Sequence, residues 1–342
     1  MISFKKKFSF FVFLAFFTAC QTGSIEEVHS TKATITKTTP LTAEVQRVAM
    51  QKTSQDNIID KSSCFMIKTP YLIKVNNVQI PINSPADYQL VQNNINAFSN
   101  DNDIVSIHFP VTVLFSDYTQ KNITSQTDLD TLISNCQADL NGFGKINCLT
   151  INYPISISVY DSNYQIASSI SIIDNMAMFN FIANLADNKF IALNYPITVK
   201  DQNGQNVIVM TNGQFEDVIK NAVDNCSDNP NMHLDFMQIL TANSWKISYY
   251  YNDIDRTVNY NGYSFNFNPD FTAVASKLGV IYNGTWSTSM DNGRRRFEIK
   301  FNSSSLDKLN EDWKVFEFSA SQLRFRSDDG NNENDYLYLE KK

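Results

Sequence analysis

Four prolines constrain this chain more than any other feature. They stand in Thr69-Pro70-Tyr71-Leu72-Ile73, Phe109-Pro110-Val111-Thr112-Val113, Tyr153-Pro154-Ile155-Ser156-Ile157 and Tyr195-Pro196-Ile197-Thr198-Val199, at intervals of 40, 44 and 42 residues. A near-constant period of this size marks repeated supersecondary units. Beyond each Pro the residues alternate: Tyr153, Ile155, Ile157 and Val159 take one face, with Ser156 and Ser158 opposite. That is the pattern of a half-buried strand. Proline at the same early position removes one ladder donor, which suits a strand start, an edge or a bulge.

A second apolar stretch follows each strand, and then a helix-start signature 14 to 17 residues after each Pro: Ser84-Pro85-Ala86-Asp87, Ser125-Gln126-Thr127-Asp128, Ser171-Ile172-Ile173-Asp174 and Thr211-Asn212-Gly213-Gln214. Each sets a hydroxyl three residues before a side-chain acceptor, as in a capping box. Helical spacing follows in Leu129, Leu132 and Ile133, and in Phe215, Val218, Ile219 and Ala222. The expected fold class for this part is an α+β repeat region of four strand-strand-helix (ββα) units, with helices over one sheet face.

The cysteines divide the four units into two modules, residues 64–146 and 147–235. Cys64 and Cys148 each precede a repeat Pro by six residues, while Cys136 and Cys226 end the second and fourth helices. In an exported chain this pattern predicts disulfides Cys64–Cys136 and Cys148–Cys226, equivalent residues of a duplicated module pairing equivalently. The alternative is Cys136–Cys148 with Cys64–Cys226. Metal binding is the other reading of such cysteines, but His108 and His233 match no ligand pattern, so no metal and no cofactor is expected.

Export itself is read from residues 1–19. A basic start with Lys5, Lys6 and Lys7, an apolar run from Phe8 to Phe17, and Thr18-Ala19 before Cys20 have the parts of a secretory signal, too short to span a bilayer. Thr18-Ala19-Cys20 resembles the lipobox of bacterial lipoproteins, with Phe17 where Leu is usual. The resemblance implies that Cys20 is lipidated and anchors the chain in a membrane. Residues 20–63, rich in Thr, Ser, Lys and Gln without sustained apolar periodicity, are expected to be a flexible tether.

From residue 236 to 342 the capping rhythm stops. Short strands with alternation in Trp245, Ile247, Tyr249 and Tyr251, in Tyr263, Phe265 and Phe267, and in Phe297, Ile299 and Phe301 are separated by Asn261-Gly262, Asn283-Gly284, Asn292-Gly293 and Asp329-Gly330. One aromatic and one polar face predict an all-β antiparallel barrel. Ser244-Trp245-Lys246-Ile247, Asn261-Gly262-Tyr263, Gly284-Thr285-Trp286 and the late Leu306–Trp313 segment resemble the lipocalin-like domains of envelope lipoproteins of Bacteroidota, over roughly residues 237–342. Asn243 stands where true lipocalins carry the Gly of a first-strand Gly-x-Trp. The resemblance implies a barrel that either carries a small hydrophobic or anionic ligand or fills its interior with its own side chains.

Candidate ligand contacts in the barrel are Arg295, Trp245 and Trp286. Arg295 belongs to the basic cluster Arg294-Arg295-Arg296, and if Phe297 points inward Arg295 does too. No catalytic residues stand out: a nucleophile elbow, a Ser-His-Asp order and a paired-carboxylate motif are all missing, and there are only three His. An enzyme acting on extracytoplasmic glycans or peptides stays open, since carboxylates far apart in sequence can meet in space. With 28 Lys and Arg against 35 Asp and Glu, a formal charge of -7, the chain lacks the basic footprint of a nucleic-acid binder. The expectation is a lipid-anchored protein of the bacterial outer membrane, periplasmic or surface-exposed. Its expected role is noncatalytic binding or assembly, and its partners the membrane and an envelope protein or a small hydrophobic ligand.

Overall fold

The computed structural model describes residues 34–97, 103–139, 144–225, 235–291, 294–328 and 334–342. The signal segment, Cys20 and the first part of the expected tether lie outside them. The rest of that tether is folded, which corrects the sequence reading. Residues 40–48 form helix α1 (Pro40–Val48) and residues 57–60 the single turn α2 (Asn57–Asp60). Pro40 opens α1, where its missing N–H is no loss. Leu41, Val45 and Val48, spaced i, i+4, i+7, are all buried in the core of the second module. The polar composition of the segment hid this stripe because it is only two turns long.

The first module contains β1 (Phe65–Ile67), β2 (Tyr71–Val75), β3 (Val78–Ile82), α3 (Tyr88–Ile95), β4 (Val105–Ile107), β5 (Val111–Phe115), β6 (Gln120–Ile123) and α4 (Gln126–Asp139). The second contains β7 (Thr150–Ile151), β8 (Ile155–Tyr160), β9 (Ile166–Ile172), α5 (Asn175–Ala183), β10 (Phe190–Leu193), β11 (Ile197–Lys200), β12 (Asn206–Val209) and α6 (Asn212–Asn225). A hairpin follows each of the four prolines, and all four X-Pro peptides are cis.

The expected two-strand units are each short of one strand. The strand before each Pro leaves its own hairpin and joins the other hairpin of the module, giving three-stranded sheets β4-β2-β3 and β1-β5-β6, and likewise β10-β8-β9 and β7-β11-β12. These exchanged strands are two to four residues long. No period shows in a segment of that length, so pattern reading passes over them. The exchange makes the two hairpins of a module mutually dependent, since each completes its sheet with chain from the other.

Caps follow the sequence reading in three units. Asp87 accepts from the Ser84 backbone N–H, Ser125 Oγ from Asp128 N–H and Thr211 Oγ1 from Gln214 N–H. In the third unit Ser171 is still in β9, and Asp174 caps α5 by accepting from Ala177 N–H at 2.7 Å. Cys64 and Cys148 are both disulfide cysteines. Cys226 and the Cys136 side chain lie outside the described residues.

The remaining chain forms α7 (Phe236–Ala242), β13 (Ser244–Asn252), β14 (Ile254–Asp255), β15 (Ser264–Phe267), β16 (Thr272–Lys277), β17 (Val280–Asp291), β18 (Arg294–Phe301), β19 (Asp312–Phe318), β20 (Gln322–Asp328) and β21 (Asn334–Lys341). The antiparallel sheet β13-β15-β16-β17-β18-β19-β20-β21 closes by pairing β21 with β13, an eight-stranded barrel with β14 appended. One turn assignment changes, and Asn292-Gly293 and Asp329-Gly330 lie outside the described residues. Asn283-Gly284 lies within β17, and the hairpin turn is Leu278-Gly279, both at positive φ. Gly284 is needed for another reason: a Cβ there would collide with the Lys300 carbonyl and the Phe301 ring on β18.

Two bulges set which side chains leave the barrel. In β13 the register shifts between Ile247 and Tyr249, so Trp245, Ile247 and Tyr250 are buried in the barrel core, whereas the sequence alternation assigned Tyr249 and Tyr251 to it. In β19 the shift between Val315 and Glu317 leaves Phe316 out of the barrel core and in that of the second module. Bulges of this kind re-aim side chains.

If residues 34–63 were a tether, Leu41 would be silent. Because it is fully buried among the helices of the second module, Leu41→Ala is expected to cost about 2–5 kcal/mol, read as a lower urea midpoint at unchanged m-value.

Candidate functional site

The barrel interior is occupied by its own side chains. Trp245, Phe265, Phe267, Phe297, Trp313 and Phe325 are all fully buried, and rings pack edge-to-face or stacked, Phe297 on Phe325 at 4.9 Å and Phe267 on Phe297 at 5.3 Å between centroids. Phe236 and Leu240 of α7 belong to the same core and plug the end of the barrel where β13 begins. The indole donors are all used by the chain itself: Trp245 Nε1–H donates to Leu240 O, Trp286 Nε1–H to Asn268 O and Trp313 Nε1–H to Leu309 O, at 2.9, 3.0 and 3.2 Å. Trp245 and Trp286, expected as ligand contacts, thus anchor the connections that cap the barrel.

Arg295 takes the inward phase expected of it, two residues from buried Phe297, and its guanidinium lies 5.4 Å from the centroid of the Phe236 ring. It therefore makes a cation–π contact with the plug helix at the barrel rim. Arg296 instead pairs with Asp291 and Asp312, at 2.9 and 3.7 Å.

Chemistry-bearing groups that sequence reading missed gather on the outer wall of the barrel, where β19, β20 and β21 face α1 and α6. Arg47 of α1 and Glu317 of β19 form a bidentate pair, Nη1 to Oε2 at 2.7 Å and Nη2 to Oε1 at 2.8 Å, with Arg47 Nε–H donating to Gly144 O at 2.8 Å. Both side chains are buried. Arg326 of β20 reaches α6 through Asp217 at 2.8 Å and Glu216 at 3.5 Å, and the Tyr336 hydroxyl donates to the Glu216 carboxylate at 2.7 Å. Arg324 lies over the Tyr338 ring at 5.1 Å and near Glu317 at 3.9 Å.

This seam holds four carboxylates, Glu44, Glu216, Asp217 and Glu317, against three guanidiniums, those of Arg47, Arg324 and Arg326. The surplus acid is Glu44 of α1, whose Oε2 is buried without a hydrogen-bond partner. Burial first, then the charge of Glu216, pushes its carboxyl up to about 8. Glu44 therefore enters the fold protonated, and the charges of the seam balance. The same burial raises the Tyr336 and Tyr338 phenols far above their ordinary value, so both stay neutral donors. These groups are consumed by one another. They join three parts of the chain. A spacing signal for them did exist in Glu44 and Arg47 beside Val45 and Val48, but the partners of the two are 97 to 292 positions away and no local pattern connects them.

Comparison with protein-family models, with curated proteins and with solved structures found no match. Fold and site geometry alone therefore bear on function.

Two outcomes follow from the seam. Glu317→Gln leaves the buried Arg47 guanidinium without its counter-charge and is expected to cost about 3–5 kcal/mol in chemical denaturation. Because the Glu44 pKa is raised in the folded state, its protonation stabilises the fold fully below about pH 4.5 and is lost as pH rises toward 8. Unfolding free energies measured from pH 5 to 8 should therefore fall less steeply in Glu44→Gln than in the unaltered protein.

Proposed function

We propose that this chain is a lipid-anchored lipoprotein of the bacterial cell envelope, with a noncatalytic binding or assembly role carried by its outer surfaces. The filled barrel carries this reading. An interior occupied by Trp245, Phe265, Phe267, Phe297 and Phe325 leaves the lipocalin-like domain as a packed body rather than a carrier. The charged seam supports it from the other side, since the buried acids and bases are spent on holding α1, the second module and the barrel together. The lipobox-like Thr18-Ala19-Cys20 supports the anchor, with Cys20 as the lipidated residue after removal of residues 1–19. The paired disulfides Cys64–Cys136 and Cys148–Cys226 belong to the same proposal and suit an oxidising compartment. Each closes a loop of roughly 70 residues, which in the chain-entropy model stabilises by about 4 kcal/mol.

In this reading the membrane is the first partner, held through acyl chains, and a second envelope protein is the second. The region from 34 to 63 is a strap across the folded body.

Fractionation checks the anchor: Cys20→Ser is expected to move the chain from the membrane to the soluble fraction, and membrane retention at unchanged abundance would count against lipidation. A fluorescent fatty acid titrated into the whole chain checks the filled barrel. The expected result is no saturable binding in either the unaltered protein or Arg295→Leu; micromolar binding abolished by that substitution would restore the carrier reading.

A further inference from the structure

Away from the seam, a second group of buried acids has no counter-charge at all. Asp56 and Asp60 flank the α2 turn and are 0% and 1% exposed. One oxygen of each is fixed by backbone: Asp56 Oδ2 accepts from Ile67 N–H at 2.7 Å and Asp60 Oδ1 from Ser62 N–H at 3.0 Å. The other oxygen of each, Asp56 Oδ1 and Asp60 Oδ2, is buried with no hydrogen-bond partner. Asp56 precedes α2 yet makes no capping bond to it, so its side chain is not occupied with the helix. Two hydroxyls share the pocket. Tyr71 OH of β2 and Tyr88 OH of α3 are buried next to each other and bond neither carboxylate, and both phenols are held protonated, first by burial.

Two phenols beside two carboxylates normally donate to them at once. Two buried carboxylate oxygens, Asp56 Oδ1 and Asp60 Oδ2, are left without a partner, and buried polar atoms in native structures are satisfied by protein, water or an ion. No Lys, Arg or His pairs with either acid among the described residues, and the two carry the same sign. Burial, and for Asp60 also the neighbouring Asp56, raises both carboxyls above their ordinary value. All the free donors are oxygen, with no sulfur or imidazole, which suits a hard divalent cation that accepts carboxylate and neutral oxygens in flexible geometry.

We propose that the pocket bounded by α2, the start of β2 and the start of α3 is a calcium-type cation site, with Asp56 Oδ1 and Asp60 Oδ2 as its charged ligands and the Tyr71 and Tyr88 hydroxyls completing its rim. The backbone bonds to Asp56 Oδ2 and Asp60 Oδ1 hold each carboxylate in place, so that the free oxygens are preorganised. The site is independent of the lipid anchor and of the barrel. It ties the strap that follows α1 to the first module, as the seam ties α1 to the barrel.

The test uses the full chain stripped with EDTA and titrated with Tb³⁺, whose emission is sensitised by tyrosines at ligand distance. Expected are tyrosine-excited Tb³⁺ emission that Ca²⁺ displaces, and a melting temperature raised by Ca²⁺ over EDTA. Asp60→Asn should lower the affinity at least tenfold. Since that variant also perturbs a buried pair, Tyr71→Phe/Tyr88→Phe is the second arm: it keeps both carboxylates, so the Ca²⁺-dependent melting shift should persist while sensitised emission drops severalfold. Identical melting in Ca²⁺ and EDTA with no sensitised emission overturns the proposal and assigns the space to water or to a protonated acid pair. Emission unchanged in both variants overturns it equally, placing the ion at surface carboxylates.

Discussion

The contact on which the rest of the molecule depends is the buried fork between Arg47 and Glu317. A guanidinium taken out of water is tolerated only when its donors are met, and here all three directions are used: two by the Glu317 carboxylate and one by Gly144 O. Those partners belong to the barrel and to the junction between the modules. The same two-turn helix sends Leu41 and Val45 into the second module, while its C-terminal carbonyls are met by Lys145, whose Nζ donates to Val48 O and Met50 O at 2.8 and 2.6 Å. A cation at that end also complements the helix dipole. Just beyond, Ala49 O accepts from Tyr118 OH and Gln51 N–H donates to Ser116 O, both on the first module. One short segment thus makes polar contacts that a rigid placement of three bodies satisfies together.

What was legible in the sequence was what obeys a period. The prolines, the alternation around them and the hydroxyl caps located hairpins and helices in both modules, and the aromatic alternation in 236–342 announced a barrel. What was illegible obeys no period. The exchanged strands β1, β4, β7 and β10 are too short to alternate, and α1 is too short to raise its apolar stripe above the Thr and Lys around it. Bulges in β13 and β19 shift the phase by one residue, which overturns the alternation through Tyr249 and Tyr251 and sends Phe316 to the second module. Asn-Gly spells a turn at Asn261-Gly262, yet at Asn283-Gly284 the same pair serves a close crossing of strands. The same letters carry two physical meanings, and only the partner strand distinguishes them.

The candidate residues divide in the same way. Arg295 was located correctly relative to Phe297 because alternation is local, but its partner, the Phe236 face, comes from a helix 59 positions earlier. Trp245 and Trp286 were visible as large amphipathic rings; that their N–H groups would be met by Leu240 O and Asn268 O was not. The acids were the least legible of all. Glu44, Asp56 and Asp60 look like solvated charges in a polar stretch, and burial alone changes their meaning, because an unbalanced carboxylate inside a protein must take a proton, a basic side chain or a cation.

That requirement separates the two acidic centres. Around Glu44 the three guanidiniums of Arg47, Arg324 and Arg326 already balance Glu216, Asp217 and Glu317, so one proton on Glu44 closes the account and the seam needs nothing from outside. Among the described residues no Lys, Arg or His pairs with Asp56 or Asp60, and two backbone N–H groups cannot neutralise two charges. Protonating both would still leave Asp56 Oδ1 and Asp60 Oδ2 buried without a hydrogen-bond partner in the fold as it stands. The charges of the seam thus balance within the chain, whereas the two carboxylates of the α2 pocket have no described base to balance them. An attachment whose strength depends on an added ion gives the strap between α1 and the first module a stability set by the surrounding solution, while its grip on the barrel through Glu317 is set by the chain itself.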